Sequence, residues 1–192
     1  MNKIQINKTA QPRISQGDIF RDVELIEDIR ISGGDIVITR LQFPAVFVLT
    51  QDCDLESDYD IRWSGEQKAT QDQQLISVLV APVYNSLHLF EGSHLEDLKL
   101  KMERQNSDRK KLIMQNQNQR YHYFDPGQAP LPPSVIDFKH YFSMSVTKLK
   151  DLKDGHWVFK VAEIYREQIC QRFANYLSRI GLPEERVKKN PL

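Results

Sequence analysis

Phe43-Pro44-Ala45-Val46-Phe47-Val48-Leu49-Thr50-Gln51-Asp52-Cys53-Asp54 is the stretch on which the fold turns. Its first half is an apolar run rich in β-branched and aromatic residues, the composition of a strand buried on both faces. Its second half turns polar and sets a thiol between two carboxylates. A core strand from about Ala45 to Thr50, with Pro44 at its mouth, therefore delivers Thr50, Gln51, Asp52, Cys53 and Asp54 to one strand end. These five residues are the candidate catalytic set.

Upstream, Gly17-Asp18-Ile19-Phe20 opens an element in which Val23, Leu25, Ile29 and Ile31 alternate with charged neighbours, the period of a half-exposed strand. Gly33-Gly34-Asp35 is a hairpin signal, and Ile36-Val37-Ile38-Thr39 is the returning strand. Residues 1 to about 14 read as a loose arm able to add an edge strand. Downstream, positions 51–60 hold five carboxylates (Asp52, Asp54, Glu56, Asp58, Asp60) and no Lys or Arg, which predicts an exposed acidic loop. Leu75 to Ala81 is a second buried strand, stopped by Pro82.

The character changes from about 85 to 133. Ser93-His94-Leu95-Glu96 fits a capping box, and Leu95, Leu98 and Met102 follow at helical spacing. From Lys99 to Arg120 there are seven basic residues (Lys99, Lys101, Arg104, Arg109, Lys110, Lys111, Arg120) against two acidic ones. This cluster, with Tyr121, Tyr123 and Phe124 of a short aromatic strand as stacking faces, is the candidate nucleic-acid surface; the plainer alternative is a solvated helix face. Asp125-Pro126-Gly127 and Pro130 to Pro133 mark a rigid loop. Strand-like alternation resumes at 134–138, 142–146 and 156–159. A closing helix over about 161–180 carries an apolar stripe of Ile164, Tyr165, Ile169, Phe173, Tyr176, Leu177 and Ile180. Arg166, Glu167, Arg172 and Arg179 lie on its other side, and Gly181 and Pro183 form the stop. The sum is a mainly β chain in one domain: a small barrel with strands over about 17–82 and 134–159, a helical insertion over about 85–133, and a C-terminal helix.

Zero formal net charge excludes a global basic field, so any nucleic-acid contact must be local. No apolar run reaches the length of a membrane helix. Two cysteines, Cys53 and Cys170, imply no disulfide framework, which fits a cytoplasmic protein with reduced thiols. His88, His94, His122, His140 and His156 show no metal spacing, and no metal or cofactor is called for. Cys53 reads as a small core hydrophobe, as a nucleophile if His122 or His140 reaches it, or as one ligand of a metal site. Asp52 and Asp54 alternatively fix the loop through Asx-type bonds. Asp137, after two apolar residues, calls for burial beside an arginine, Arg62 or Arg120.

Gly17-Asp18-Ile19-Phe20 resembles the opening of the PemK/MazF-like toxins. Pro44 to Leu49 resembles their central strand, Leu75 to Pro82 the next one, and Ser134 to Phe138 with Val146 to Leu149 the closing segment. The resemblance implies an SH3-like barrel in a bacterial toxin–antitoxin setting, often a homodimer, that cuts single-stranded RNA. One position departs from it. The arginine that precedes the proline of the central strand in that family is Phe43 here, and phenylalanine cannot stabilise charge on a phosphate. The leading expectation is therefore a non-catalytic module that contacts single-stranded RNA or another nucleic acid, or a partner protein. The alternatives are a MazF-like endoribonuclease rebuilt around Thr50, Gln51 and Asp52 with Arg40 or Arg62, and a Cys53-dependent or metal-dependent enzyme.

Overall fold

A computed structural model describes residues 3–63, 65 and 71–179. It is mainly β, an antiparallel half-barrel sheet. In chain order the elements are β1 (Ile6–Asn7), β2 (Asp18–Ser32), β3 (Asp35–Val48), α1 (Asp52–Trp63), β4 (Ser77–Asn85), α2 (Ser86–Glu91), α3 (Ser107–Met114), β5 (Tyr121–Phe124), β6 (Ser134–Asp137), β7 (Phe142–Ser145), α4 (Val146–Asp151), the kinked α5 (Lys153–His156), β8 (Trp157–Val161) and α6 (Glu163–Leu177). The sheet runs β1-β8-β2-β3-β4-β6-β5, with β7 also on β4. The N-terminal arm supplies the edge strand β1.

The apolar run is the central strand. Ala45, Val46, Phe47, Val48 and Leu49 are all buried, with core on both sides. On one side Phe20, Val46, Val48, Val78 and Val80 pack with Leu55 of α1 and Leu149 of α4. On the other, Ile19, Phe47, Ala81, Val83 and Phe159 pack with Ile169 and Phe173 of α6. The insertion brings a third cluster of Leu89, Phe90, Ile113, Tyr121, Tyr123 and Val135.

Neither proline ends its strand. β3 runs through Pro44, and β4 runs through Pro82. Leu49 N–H donates to the Leu79 carbonyl, so Leu79, Ala81 and Val83 turn their backbone groups toward β3. Pro82 faces the opposite edge. There β7 pairs with β4 only as far as Val80 and β6 begins at Val83, so the missing N–H falls in the gap between two partner strands. The hairpin signal is met: Gly33 and Gly34 both have positive φ, 62° and 94°, as a two-residue β-turn demands.

Three other expectations are corrected. The acidic stretch is the helix α1, not a loop. Asp52 and Asp54 sit in its first turn and Arg62 in its last, the charge order that the helix dipole favours. Asp58 is buried rather than solvated, accepting from Arg62 Nε one turn on (2.8 Å) and from Leu75 N–H (2.6 Å). The capping box at Ser93 starts no α-helix. Only a 3-10 turn, Glu96–Leu98, follows, and the helix of the insertion begins at Ser107 after an Asn106 cap. At Gly92 (φ 83°) a Cβ would run into the Met102 carbonyl, so the chain must fold back where the helix was expected. In α6 the stripe is narrower than its spacing implied. Ile164 and Leu177 are exposed, whereas Arg166 is buried. Arg172 also turns inward, donating to the Asn118 (2.6 Å) and Tyr121 (3.1 Å) carbonyls of the insertion. Ile180, Gly181 and Pro183 lie outside the described residues.

Two histidines are enclosed in this packing. Burial, with the nearby Arg172 charge, pushes His122 down to about 3, and burial holds His94 at about 4 against the pull of Asp137. Both are neutral in the fold, while the unfolded chain binds their protons near pH 6.5. Stability is therefore complete above pH 6.5 and falls as pH drops toward 4. The slope from the fully buried His122 is up to about 1.4 kcal/mol per pH unit. Urea titrations at stepped pH will show this slope, and His122→Phe will reduce it between pH 6.5 and 4, leaving the part that His94 contributes.

Candidate functional site

The end of β3 is built by backbone constraint. Leu79 N–H donates to Thr50 Oγ1 at 2.7 Å, which closes the β3–β4 ladder. The Gln51 carbonyl accepts from Leu55 N–H and starts α1. Asp52 thus stands at the helix N-terminus with its carboxylate turned inward. Arg13 grips it with both Nη atoms (3.1 and 3.0 Å), Arg166 of α6 donates at 3.1 Å, Gln16 N–H at 2.9 Å, and Lys160 Nζ of β8 lies 3.8 Å away. Partial burial pulls this carboxyl upward. The Arg13 and Gln16 hydrogen bonds and the Lys160 and Arg13 charges outweigh it and bring the group to about 2. A second knot adjoins the first: Asp18 accepts from Trp157 Nε1 (2.9 Å), Lys153 Nζ (3.1 Å) and Ser15 N–H (2.8 Å), and Lys153 also donates to the Arg13 carbonyl.

Between the start of α1 and α6 lies an open cleft of about 740 Å³. All five candidate catalytic residues, Thr50 to Asp54, line it. Leu49, Leu79 and Phe173 give it an apolar floor, Ala174 and Leu177 add an exposed apolar edge, and Gln16, Glu167, Cys170 and Gln171 complete the walls. Cys53 is exposed on the rim rather than in the core, its Sγ 3.7 Å from Gln51 Oε1 and from Asp54 Oδ1. Cys170 is mostly enclosed, and burial pushes its thiol up to about 12. Among the described residues no histidine lines the cleft. His122 is buried in β5 beside Phe138, and His140 Nδ1 sits 3.0 Å from Asp137 Oδ2, so neither stands as a partner for Cys53. Among the described residues no group of three or more His, Cys, Asp or Glu is placed to hold a metal ion.

The candidate nucleic-acid surface is dispersed. Tyr121, Tyr123 and Phe124 are buried in β5 and offer no stacking face. Arg120 holds Asp137 with Nε and Nη2 at 2.7 and 2.6 Å, which answers the call for an arginine at that buried carboxylate; Arg62 serves Asp58 instead. Desolvation raises Asp137, but the Arg120 and His140 hydrogen bonds win and leave it at about 2. Arg109 pairs with Glu103 at 2.8 Å, and Lys110 lies over the Phe90 ring. Lys99, Lys101, Arg104 and Lys111 are exposed. Arg40 lies near Glu24 on the β2–β3 hairpin, away from the cleft. Phe43 is a core residue stacked on Phe142 at 4.8 Å. Sequence reasoning missed Arg13, Lys160 and Arg166, because each reaches Asp52 across a long loop of chain. The sequence signal available for Arg166 was its spacing of three from Ile169, which sets it beside the apolar stripe.

No family model, curated protein or solved structure matches the chain.

Removing the Asp52 charge leaves Arg13, Arg166 and Lys160 crowded, with only the exposed Glu56, Glu163 and Glu167 beside the two arginines. Asp52→Asn will lower stability by about 2–4 kcal/mol in urea unfolding. It will also remove the part of the acid transition that wild type shows as pH falls through 3.8 toward 2, since a depressed carboxyl contributes stability only while ionised.

Proposed function

We propose that the chain is a non-catalytic protein-binding module whose α1–α6 cleft accepts a cationic, partly apolar segment of a partner protein. One observation carries this reading. The cleft joins an apolar floor to a rim bearing Asp54 and Glu167, with amides between, and among the described residues no Lys or Arg lines it. The nearby cations Arg13, Lys160 and Arg166 gather on Asp52; Arg166 Nε also lies 3.4 Å from Glu167, which leaves the exposed Asp54 as the rim carboxylate without a cation beside it among the described residues. A phosphate backbone needs unpaired cations at its contact surface, and cleavage needs a donor for charge on the transferring phosphoryl group. A Lys- or Arg-bearing peptide with apolar side chains meets the cleft with complementary charge, and rim carboxylates speed and select such encounters.

On this reading the PemK/MazF-like resemblance stands for a shared SH3-like barrel without the ribonuclease. Its support is the order of the central strands and the burial of Phe43 at the arginine position. Fold kinship of that kind carries no activity with it. The exposed Lys99, Lys101, Arg104 and Lys111 define the competing nucleic-acid reading, and the experiment separates the two.

Fluorescence anisotropy with a labelled Lys/Leu-alternating peptide, its Glu/Leu counterpart and a labelled single-stranded RNA tests the proposal. The basic peptide will bind saturably, and Asp54→Lys with Glu167→Lys will weaken it roughly tenfold or more. The acidic peptide and the RNA will not bind at the cleft. Equal binding of both peptides, or binding of RNA alone that is lost on Lys99→Glu with Lys101→Glu, would overturn it.

A further inference from the structure

The β2–β3 hairpin outgrows the sheet. β8 pairs with β2 only over Asp18–Phe20, and β4 pairs with β3 only over Ala45–Val48. Beyond Leu25 and Leu41, which still pack on the core, the hairpin continues as a two-stranded ribbon. Its register places Ile29 opposite Ile38, Ile31 opposite Ile36, and Ile26 opposite Arg40, past a bulge between Ile26 and Asp28. Directly opposed residues share a face, and alternate residues along a strand share it too. Five isoleucines therefore lie on one side of the ribbon. They are 44, 60, 79, 70 and 40% exposed at Ile26, Ile29, Ile31, Ile36 and Ile38. The other side carries Asp28, Arg30, Ser32, Asp35, Val37 and Thr39. The sequence pattern is that of a half-buried strand pair, but the half to be buried is bare.

We infer that this isoleucine face is a two-fold interface between two copies of the chain, ribbon packed on ribbon. Three features select a second copy over a different partner. The face is only two strands wide, so a second ribbon matches its width, whereas a broader surface would leave its own margins uncovered. The outer patch is wholly aliphatic at the opposed pairs Ile29–Ile38 and Ile31–Ile36, with Arg40 beside Ile26 only at its inner end, and a two-fold axis needs such a self-complementary surface. Two such faces together offer roughly 1,000 Å² of apolar area, the lower bound for a specific interface. The product is a small four-stranded sandwich with its two layers about 10 Å apart. Each ribbon, marginal as an isolated two-stranded hairpin, covers the other. An interface at that lower bound gives a concentration-dependent monomer–dimer equilibrium rather than an obligate dimer. The ribbon is remote from the α1–α6 cleft in residue content, so this inference and the peptide-binding proposal stand or fall separately.

Sedimentation velocity over a concentration series tests it. Wild type will move from monomer to dimer as concentration rises. Ile31→Lys with Ile36→Lys will stay monomeric over the same range, with unchanged circular dichroism, since both positions face solvent in the monomer. Should that pair of lysines disturb folding, Ile29→Thr with Ile38→Thr keeps β-branched residues and will weaken dimerisation at least tenfold. Val37→Lys, on the opposite face, will leave the equilibrium as in wild type. A wild type that is monomeric throughout, isoleucine-face variants that dimerise like wild type, or equal loss in Val37→Lys would each overturn the inference.

Discussion

A single carboxylate organises the charged half of this molecule. Asp52 receives Arg13 from the N-terminal segment, Lys160 from β8, Arg166 from α6 and the N–H of Gln16, all at the first turn of α1. Four parts of the chain with no local reason to meet are fixed by one group. The cations gathered there would repel one another without it, and the cost of burying them is recovered mainly while Asp52 is ionised and fully bonded, the exposed Glu56, Glu163 and Glu167 adding weaker pairs to the two arginines. The neighbouring Asp18 knot extends the same lattice through Lys153 and Trp157. The apolar core gives the sheet its stability; this lattice decides where the first and last helices sit on it.

The position of the cleft follows from that. Thr50 and Gln51 are held by the end of the β3–β4 ladder, Asp52 anchors α1, and Arg166 draws α6 toward it. What is left facing outward is the acidic and amide rim over an apolar floor. The strand end that delivers polar residues to one place thus also shapes a surface, its half-buried central carboxylate tying the walls together. The insertion plays the same structural game at the other end of the sheet, where Arg120, Asp137 and His140 lock β5, β6 and the turn after them.

Much of the fold was legible where local pattern and tertiary context agree. The run Ala45 to Leu49 could only be a two-sided core strand, Gly33-Gly34 could only be a tight hairpin turn, and Asp137 needed an arginine. The errors share one cause, long-range pairing that local periodicity does not register. Five carboxylates read as a solvated loop because their partners lie elsewhere: Arg13 and Arg166 for Asp52, the Leu75 amide for Asp58. The Asp58–Arg62 spacing of four was the visible hint of a helix. Arg166 looked like the polar side of α6 because the carboxylate that draws it inward, Asp52, is more than a hundred residues away in sequence, while its neighbours Glu163 and Glu167 are exposed. Tyr121, Tyr123 and Phe124 suggested stacking faces, yet an insertion that must make its own small core needs its aromatics inside. The ribbon was read as half-exposed strands, and the pattern was right while the cover was missing.

The claim that Asp52 ties α6 to α1 is tested most directly by a double-mutant cycle of Asp52→Asn and Arg166→Met, followed by urea unfolding. Direct coupling predicts an interaction energy above about 1 kcal/mol, with the double variant less destabilised than the sum of the single ones. Effects that add to within about 0.5 kcal/mol would contradict it, and would mean that α6 is placed by its apolar contacts alone.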